Sequence, residues 1–182
     1  RIVLADDGDM GVTVSQADVV LSATSEFGQT TATRGARRQR LETQVIHPGA
    51  HASVRLDGVY RLGGQRHADL TSVVTHSGVD GVTSQLAKGV VRDQARAVFQ
   101  GRIVVEPGAD RTDARMGHHA LILSDRAEVD ARPELLIHAD DVQCAHGATV
   151  GALDEEALFY IRQRGVPEAQ ARDLLVEAFI GQ

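Results

Sequence analysis

The chain has 182 residues, 42% of them hydrophobic and only 3% aromatic, and its 19 basic and 25 acidic residues leave a net charge of −6. That length suits one domain, or one domain with a small appendage, and a ring-poor core must be filled by Val, Leu, Ile and Ala, as in thin, repetitive β layers. Lys88 is the single lysine, no basic block or aromatic ladder appears, and no apolar run nears the roughly 20 residues of a membrane span, so neither nucleic acid nor a bilayer is an expected partner.

The first residue is Arg1 rather than Met, and Ile2-Val3-Leu4 already reads as a strand, so a fragment or processed chain is expected. The opening is too charged and brief for a secretion signal. Asp6, Asp7 and Asp9 lack the residue order and closing Glu of a calcium loop and read as a solvated turn. From Arg1 to about Cys144 the text is a series of short β-type runs, such as Val12-Thr13-Val14, Val19-Val20-Leu21, Val54-Arg55-Leu56, Val73-Val74-Thr75, Ile103-Val104-Val105 and Leu121-Ile122-Leu123. Gly8, Gly58, Gly81, Gly101 and Gly108 punctuate them. No helical rhythm holds before Asp154.

Two series repeat. Val98-Phe99, Ile103-Val104-Val105 and Thr112-Asp113-Ala114 are followed about 24 residues later by Ile122-Leu123, Ala127-Glu128-Val129 and Leu136-Ile137-His138, a period typical of stacked repeats. Each series reads as one rung of three short strands with two corners. A lone rung cannot bury its inner face, but stacked rungs share a continuous core. The expected fold is mainly β, a right-handed parallel β-helix, with an antiparallel sandwich as the alternative.

After Gly151 the character changes. Asp154 is a good N-cap, Glu155 and Glu156 suit the positive start of a helix, and Gly165 suits its stop, which predicts a helix over 155–164. Pro167 can open a second helix, whose apolar stripe would be Ala171, Leu174, Leu175, Ala178 and Phe179. The expected organisation is a β-helix over 1–150 and a small helical hairpin over 151–182.

Several chemistries find no motif. Lys88 follows Ala87, outside any phosphate loop, and Gly63-Gly64 lacks the strand and helix of a dinucleotide site and reads as a turn. No Gly-x-Ser-x-Gly elbow occurs. His118 and His119 are adjacent, so in a strand they face opposite ways and cannot share one metal; one should lie near the core and one outside. Cys144, the only cysteine, excludes an intrachain disulfide and agrees with a reducing compartment. In a strand Cys144 and His146 share a face, and thiolate and imidazole are both competent ligands for iron or zinc. Two ligands do not close a site, though an open pair at an edge can be completed by another chain. A small packed hydrophobe is the competing role for Cys144.

The run Asp140-Asp141-Val142-Gln143-Cys144-Ala145-His146-Gly147-Ala148-Thr149-Val150-Gly151, then Leu153-Asp154-Glu155-Glu156 and Leu158-Phe159-Tyr160-Ile161-Arg162-Gln163-Arg164-Gly165, resembles the C-terminal signature of the SufB/SufD family. Upstream, Phe99-Gln100-Gly101-Arg102-Ile103, Leu121-Ile122-Leu123-Ser124-Asp125-Arg126-Ala127-Glu128-Val129 and Pro133-Glu134-Leu135-Leu136-Ile137 match it too. The Cys-x-His-Gly-Ala form resembles SufD more than SufB. The resemblance implies a right-handed parallel β-helix with a helical C-terminal domain, the family's N-terminal helical region being absent here.

It also implies a non-enzymatic, cytoplasmic scaffold for iron–sulfur cluster assembly, which pairs with SufB and docks the ATPase SufC. Cys144 and His146 would lie at a shared SufB–SufD interface, and Phe159, Tyr160, Arg164 and Gly165 on the SufC-docking hairpin. No stably bound cofactor is expected; a transient cluster at the interface is, and flavin in the full complex stays open. Without SufB, the β-helix edge could pair two copies of the chain. The rivals are a purely structural partner and a β-helix carbohydrate-active enzyme, although the latter's groove of carboxylates and bases is not evident.

Overall fold

The computed structural model describes residues 1–181. Eleven strands come first: β1 (Ile2–Asp6), β2 (Val12–Val20), β3 (Glu26–Gly35), β4 (Arg38–His47), β5 (Ser53–Leu62), β6 (His67–His76), β7 (Val82–Val91), β8 (Arg96–Val105), β9 (Thr112–Ile122), β10 (Glu128–Ile137) and β11 (Val142–Gly151). Two helices follow, α1 (Glu155–Arg162) and α2 (Glu168–Gly181). Odd-numbered strands stack in one sheet and even-numbered strands in the other, β1-β3-β5-β7-β9-β11 against β10-β8-β6-β4-β2. Every ladder between named strands is parallel. The result is a parallel β-helix of about five turns with two C-terminal helices.

Each turn holds two long strands, where the spacing had suggested three short ones. Val98-Phe99 and Ile103-Val104-Val105 belong to the single strand β8. Register partners are 26 residues apart at Val12 and Arg38, 32 apart at Arg96 and Glu128, and intermediate elsewhere, longer than the expected 24. Gly101 explains part of the error. It is no corner: a Cβ there would collide with the Met116 sulfur and meet the Phe99 ring at 3.0 Å, so it is a close-packing position inside β8. Asp80 and Asp93 mark real corners. Both take a left-handed backbone that Asp tolerates, with φ of 56° and 63°.

Alternation puts one face of each strand inside. In β4 the inward set is Gln39, Leu41, Thr43, Val45 and His47, all under 9% exposed. Burial of apolar surface from successive rungs, at roughly 25 cal/mol per Å², is the main stabilising term. The largest buried side chains meet near the middle of the helix, where the Phe99 and His118 rings stack at 4.6 Å and Tyr60 Oη lies 2.9 Å from His118 Nε2. Gly89 makes this possible, because any Cβ there would strike the Tyr60 ring. At the other end Asp6 and Asp9 do more than line a turn: both pair with Arg66, at 3.0 and 2.6 Å, and tie the first rung to the third.

The helices follow the capping signals closely. Asp154 Oδ1 accepts from the backbone N–H groups of Glu156 and Ala157 at 2.9 and 3.0 Å. Helix α1 ends at Arg162, two residues earlier than predicted, and Gly165 reverses the chain with φ of 83°. Pro167 stands just before α2 and its carbonyl accepts from Ala171. The hairpin leans on the outer face of the odd-numbered sheet, where Val90 is buried with Leu153 and Val176. The buried face of α2 is Ala171 and Val176, with Leu175, Phe179 and Ile180 partly covered. Leu174 and Ala178 of the predicted stripe face solvent instead, Leu174 being 50% exposed. The lone lysine has a structural position here: Lys88 Nζ donates to the Phe179 carbonyl at 3.0 Å, near the negative end of α2.

Candidate functional site at the open rung

Strands β10 and β11 end their sheets, each paired on one side only. A terminal rung therefore presents unpaired backbone donors and acceptors, together with the half-covered inner column. The two strands differ in how they expose that edge. β10 reads EVDARPELLI, with Pro133 and four charges, features that blunt an edge. β11 reads VQCAHGATVG, with neither a proline nor an Asp, Glu, Lys or Arg. It is a pairing-competent edge, and its composition could have been read from the text.

Cys144 and His146 both lie in β11. Their register partners on β9 are Ala114 and Met116, which are 0% and 3% exposed. The two side chains thus continue the inner column of the β-helix where it runs out of protein. Cys144 is half-buried and packs against the core, whereas His146 is exposed. Burial pushes the Cys144 thiol up from its ordinary value, the Asp113 charge adds to this, and a backbone hydrogen bond with Ala114 opposes it. A thiol held in its neutral form is a poor ligand until a metal displaces the proton. Among the described residues no group of three His, Cys, Asp or Glu converges on a metal-sized site. The pair is open on one side.

The adjacent histidines of β9 separate as the strand period requires. His118 is fully buried, and desolvation lowers its pKa to about 4. His119 points outward and its Nδ1 lies 2.7 Å from Thr149 Oγ1 of β11.

The other candidate residues lie on the hairpin, away from Cys144 and His146. Phe159 and Tyr160 are 62% and 60% exposed, and Leu158 fills the buried position of α1 in their place. Neither aromatic ring is buried in the core of the hairpin. Arg164 lies over the Tyr160 ring at 3.4 Å and its Nη1 donates to the Tyr160 carbonyl at 3.0 Å, so the turn before Gly165 forms one ordered patch. Phe159, Gly165 and Val166 line a shallow groove beside it.

Fold and site together define a class, the β-helical solenoid with an open terminal rung and a helical tail. The family model described as SUF system FeS cluster assembly, SufBD core domain, matches residues 2–179. The chain belongs to the SufBD family of iron–sulfur cluster assembly proteins. It is 46% identical over 98 residues to the iron-sulfur cluster assembly protein SufD of Escherichia coli, covering 54% of this chain and 23% of that protein. It is 35% identical over 148 residues to a SufBD family protein of Synechocystis, covering 81% of this chain and 33% of that one. A SufBD family protein of Mycobacterium tuberculosis is 30% identical over 187 residues, covering 98% of this chain and 47% of that one. The chain thus spans less than half the length of each of these relatives.

Proposed function

We propose that this chain is the SufD-type scaffold part of a SufBCD assembly, pairing with SufB through β11 and docking the ATPase SufC on its helical hairpin. The observation that carries the reading is the unpaired β11 edge, free of charge and proline, with Cys144 and His146 at the end of the inner column. A partner strand laid against β11 would satisfy its orphan backbone groups and bring new ligands opposite His146. The iron–sulfur cluster is then cargo, held transiently between the chains.

In this reading the chain is no enzyme; ATP hydrolysis belongs to SufC. The protein works in the cytoplasm, and no helix among the described residues is long and apolar enough to cross a membrane. Residues 1–150 form the pairing unit and residues 151–182 the docking unit, with Phe159, Tyr160, Arg164 and Gly165 at its surface. Exposed aromatics and an ordered arginine are the residue types that anchor protein interfaces. The packing of Cys144 against the core favours His146 as the ligand and Cys144 as its support.

The test is anaerobic co-purification with SufB and SufC, with iron and sulfide measured on the complex. Stoichiometric three-part association with bound iron and sulfide supports the reading. Failure of the chain to retain SufB, with β11 intact, would overturn it.

A further inference from the structure

The interior of the β-helix is not uniformly apolar. Gln29 and Gln85, from β3 and β7, point inward and are only 7% and 8% exposed. Gln29 Nε2 donates to Thr43 Oγ1 at 2.7 Å and to Thr31 Oγ1 at 3.3 Å, and Gln85 Nε2 donates to Ser72 Oγ at 2.7 Å. Both amide nitrogens are thereby used. Both amide oxygens, Gln29 Oε1 and Gln85 Oε1, are buried without any partner in the protein. Leaving such a group unpaired costs on the order of 1–3 kcal/mol, and two in one core would be a serious defect.

The two glutamines line the same cavity, of about 40 Å3, between the sheets. Its floor is apolar, from Leu41, Leu56, Leu70 and Phe99, and its polar wall is Gln29, Thr31, Thr43, Ser72 and Gln85. Gly58 also lines the cavity, and a Cβ there would lie 3.2 Å from Leu70 Cδ2. Its position on β5 is inward, in register with buried Ala87, and it supplies no side chain. One water needs roughly 10–15 Å3 of such volume and two to four polar partners, so there is room for about three.

We propose that this cavity is a built site for ordered water, which donates to Gln29 Oε1 and Gln85 Oε1 inside the β-helix. The chemistry selects water over other small ligands. The Thr31, Thr43 and Ser72 hydroxyls each accept from a glutamine amide, which frees their own protons to point into the cavity, whereas the Thr71 hydroxyl donates to Asp69. The occupant must therefore both donate and accept. A cation cannot donate, and the one carboxylate at the cavity margin, Asp57, is held outside by Arg55 Nε at 2.7 Å. Bound water joins the polar residues of β3, β4, β6 and β7 into one network across both sheets.

A crystal structure fine enough to order surface water should show density in the cavity, within about 2.8 Å of both amide oxygens. In solution, oxygen-17 relaxation dispersion should detect at least one long-lived internal water that the Gln29→Met, Gln85→Met double variant lacks. An empty cavity would overturn the proposal. So would glutamines turned to accept directly from Thr31, Thr43 or Ser72, or contacts near 2.4 Å that mark a bound cation. If the double variant does not fold, the crystallographic result decides alone; equal dispersion in a folded variant is also a refutation.

Discussion

His146 of β11 is in register with Met116 of β9, so an exposed imidazole continues a column whose preceding member is 3% exposed. The open end of the β-helix is therefore not a random surface. It is an interrupted core with a potential metal ligand at the interruption, two residues from a half-buried thiol.

An interrupted core with a bare strand edge should find a partner. Without SufB, the chain at high concentration is predicted to form a two-fold dimer through β11. Ala148, exposed on the same strand, lies in register with His118, and Ala148→Lys would place a charge in the edge. Light scattering should then report monomer, with a melting temperature close to that of the parent because the position is exposed. A parent chain that stays monomeric at high concentration would contradict the pairing.

Acid should loosen the fold well before the carboxylates titrate. His47 and His76 are fully buried, with ring centroids 4.3 Å apart and planes tilted by 32°; His118 is equally buried. Desolvation lowers their pKa values from 6.5 to about 4, 3 and 4. An unfolded chain takes up these protons below about pH 6.5, while the folded chain refuses them. The stability is fully present above 6.5 and is lost as pH falls from there toward about 3. Thermal unfolding at pH 7.5, 6 and 5 should show a falling midpoint, and a flat profile would mean that the histidines are solvated.

Tyr60 and Gly89 should behave as one unit. Gly89→Ala forces a Cβ into the Tyr60 ring and should cost several kcal/mol, roughly the scale of severe overpacking. Tyr60→Leu alone opens a cavity and strands His118 Nε2, costing about 3 kcal/mol. Combined, the two should cost less than their sum by more than about 1 kcal/mol, because the smaller side chain relieves the clash. Strict additivity in denaturant melts would show that the ring is not where the collision occurs.

The exposed aromatics of α1 offer a separable test of docking. Phe159→Ala with Tyr160→Ala should weaken retention of SufC and leave the unfolding midpoint nearly unchanged, since both side chains are largely exposed. Undiminished SufC binding by the double variant would remove the hairpin from the docking surface.

Legibility in the sequence followed the local physics of each element. The helix starts were readable because Asp154 and Pro167 act within one turn of themselves. The parallel β-helix was readable from repetition, but its turn was not. Gly101 looks like a corner in the text and is a packing position in space, and Gln29, Thr31 and Gln85 face inward where an apolar residue would have revealed the strand's alternation. The face of α2 was misjudged because the sheet it leans on is invisible from its own periodicity, so Val176 replaced Leu174 inside. Cys144 and His146 were legible as a same-face pair; the openness of their rung was not, because it depends on which strands lack a neighbour.

The most direct measurement is iron and sulfide content of the anaerobically assembled complex carrying His146→Ala. The account predicts normal association with SufB and SufC, because an exposed imidazole contributes little to the ladder, with cluster content reduced several-fold; Cys144→Ala should reduce it less. A His146→Ala complex that assembles normally and acquires the full complement of iron and sulfide would contradict the central claim and leave the chain a purely structural partner.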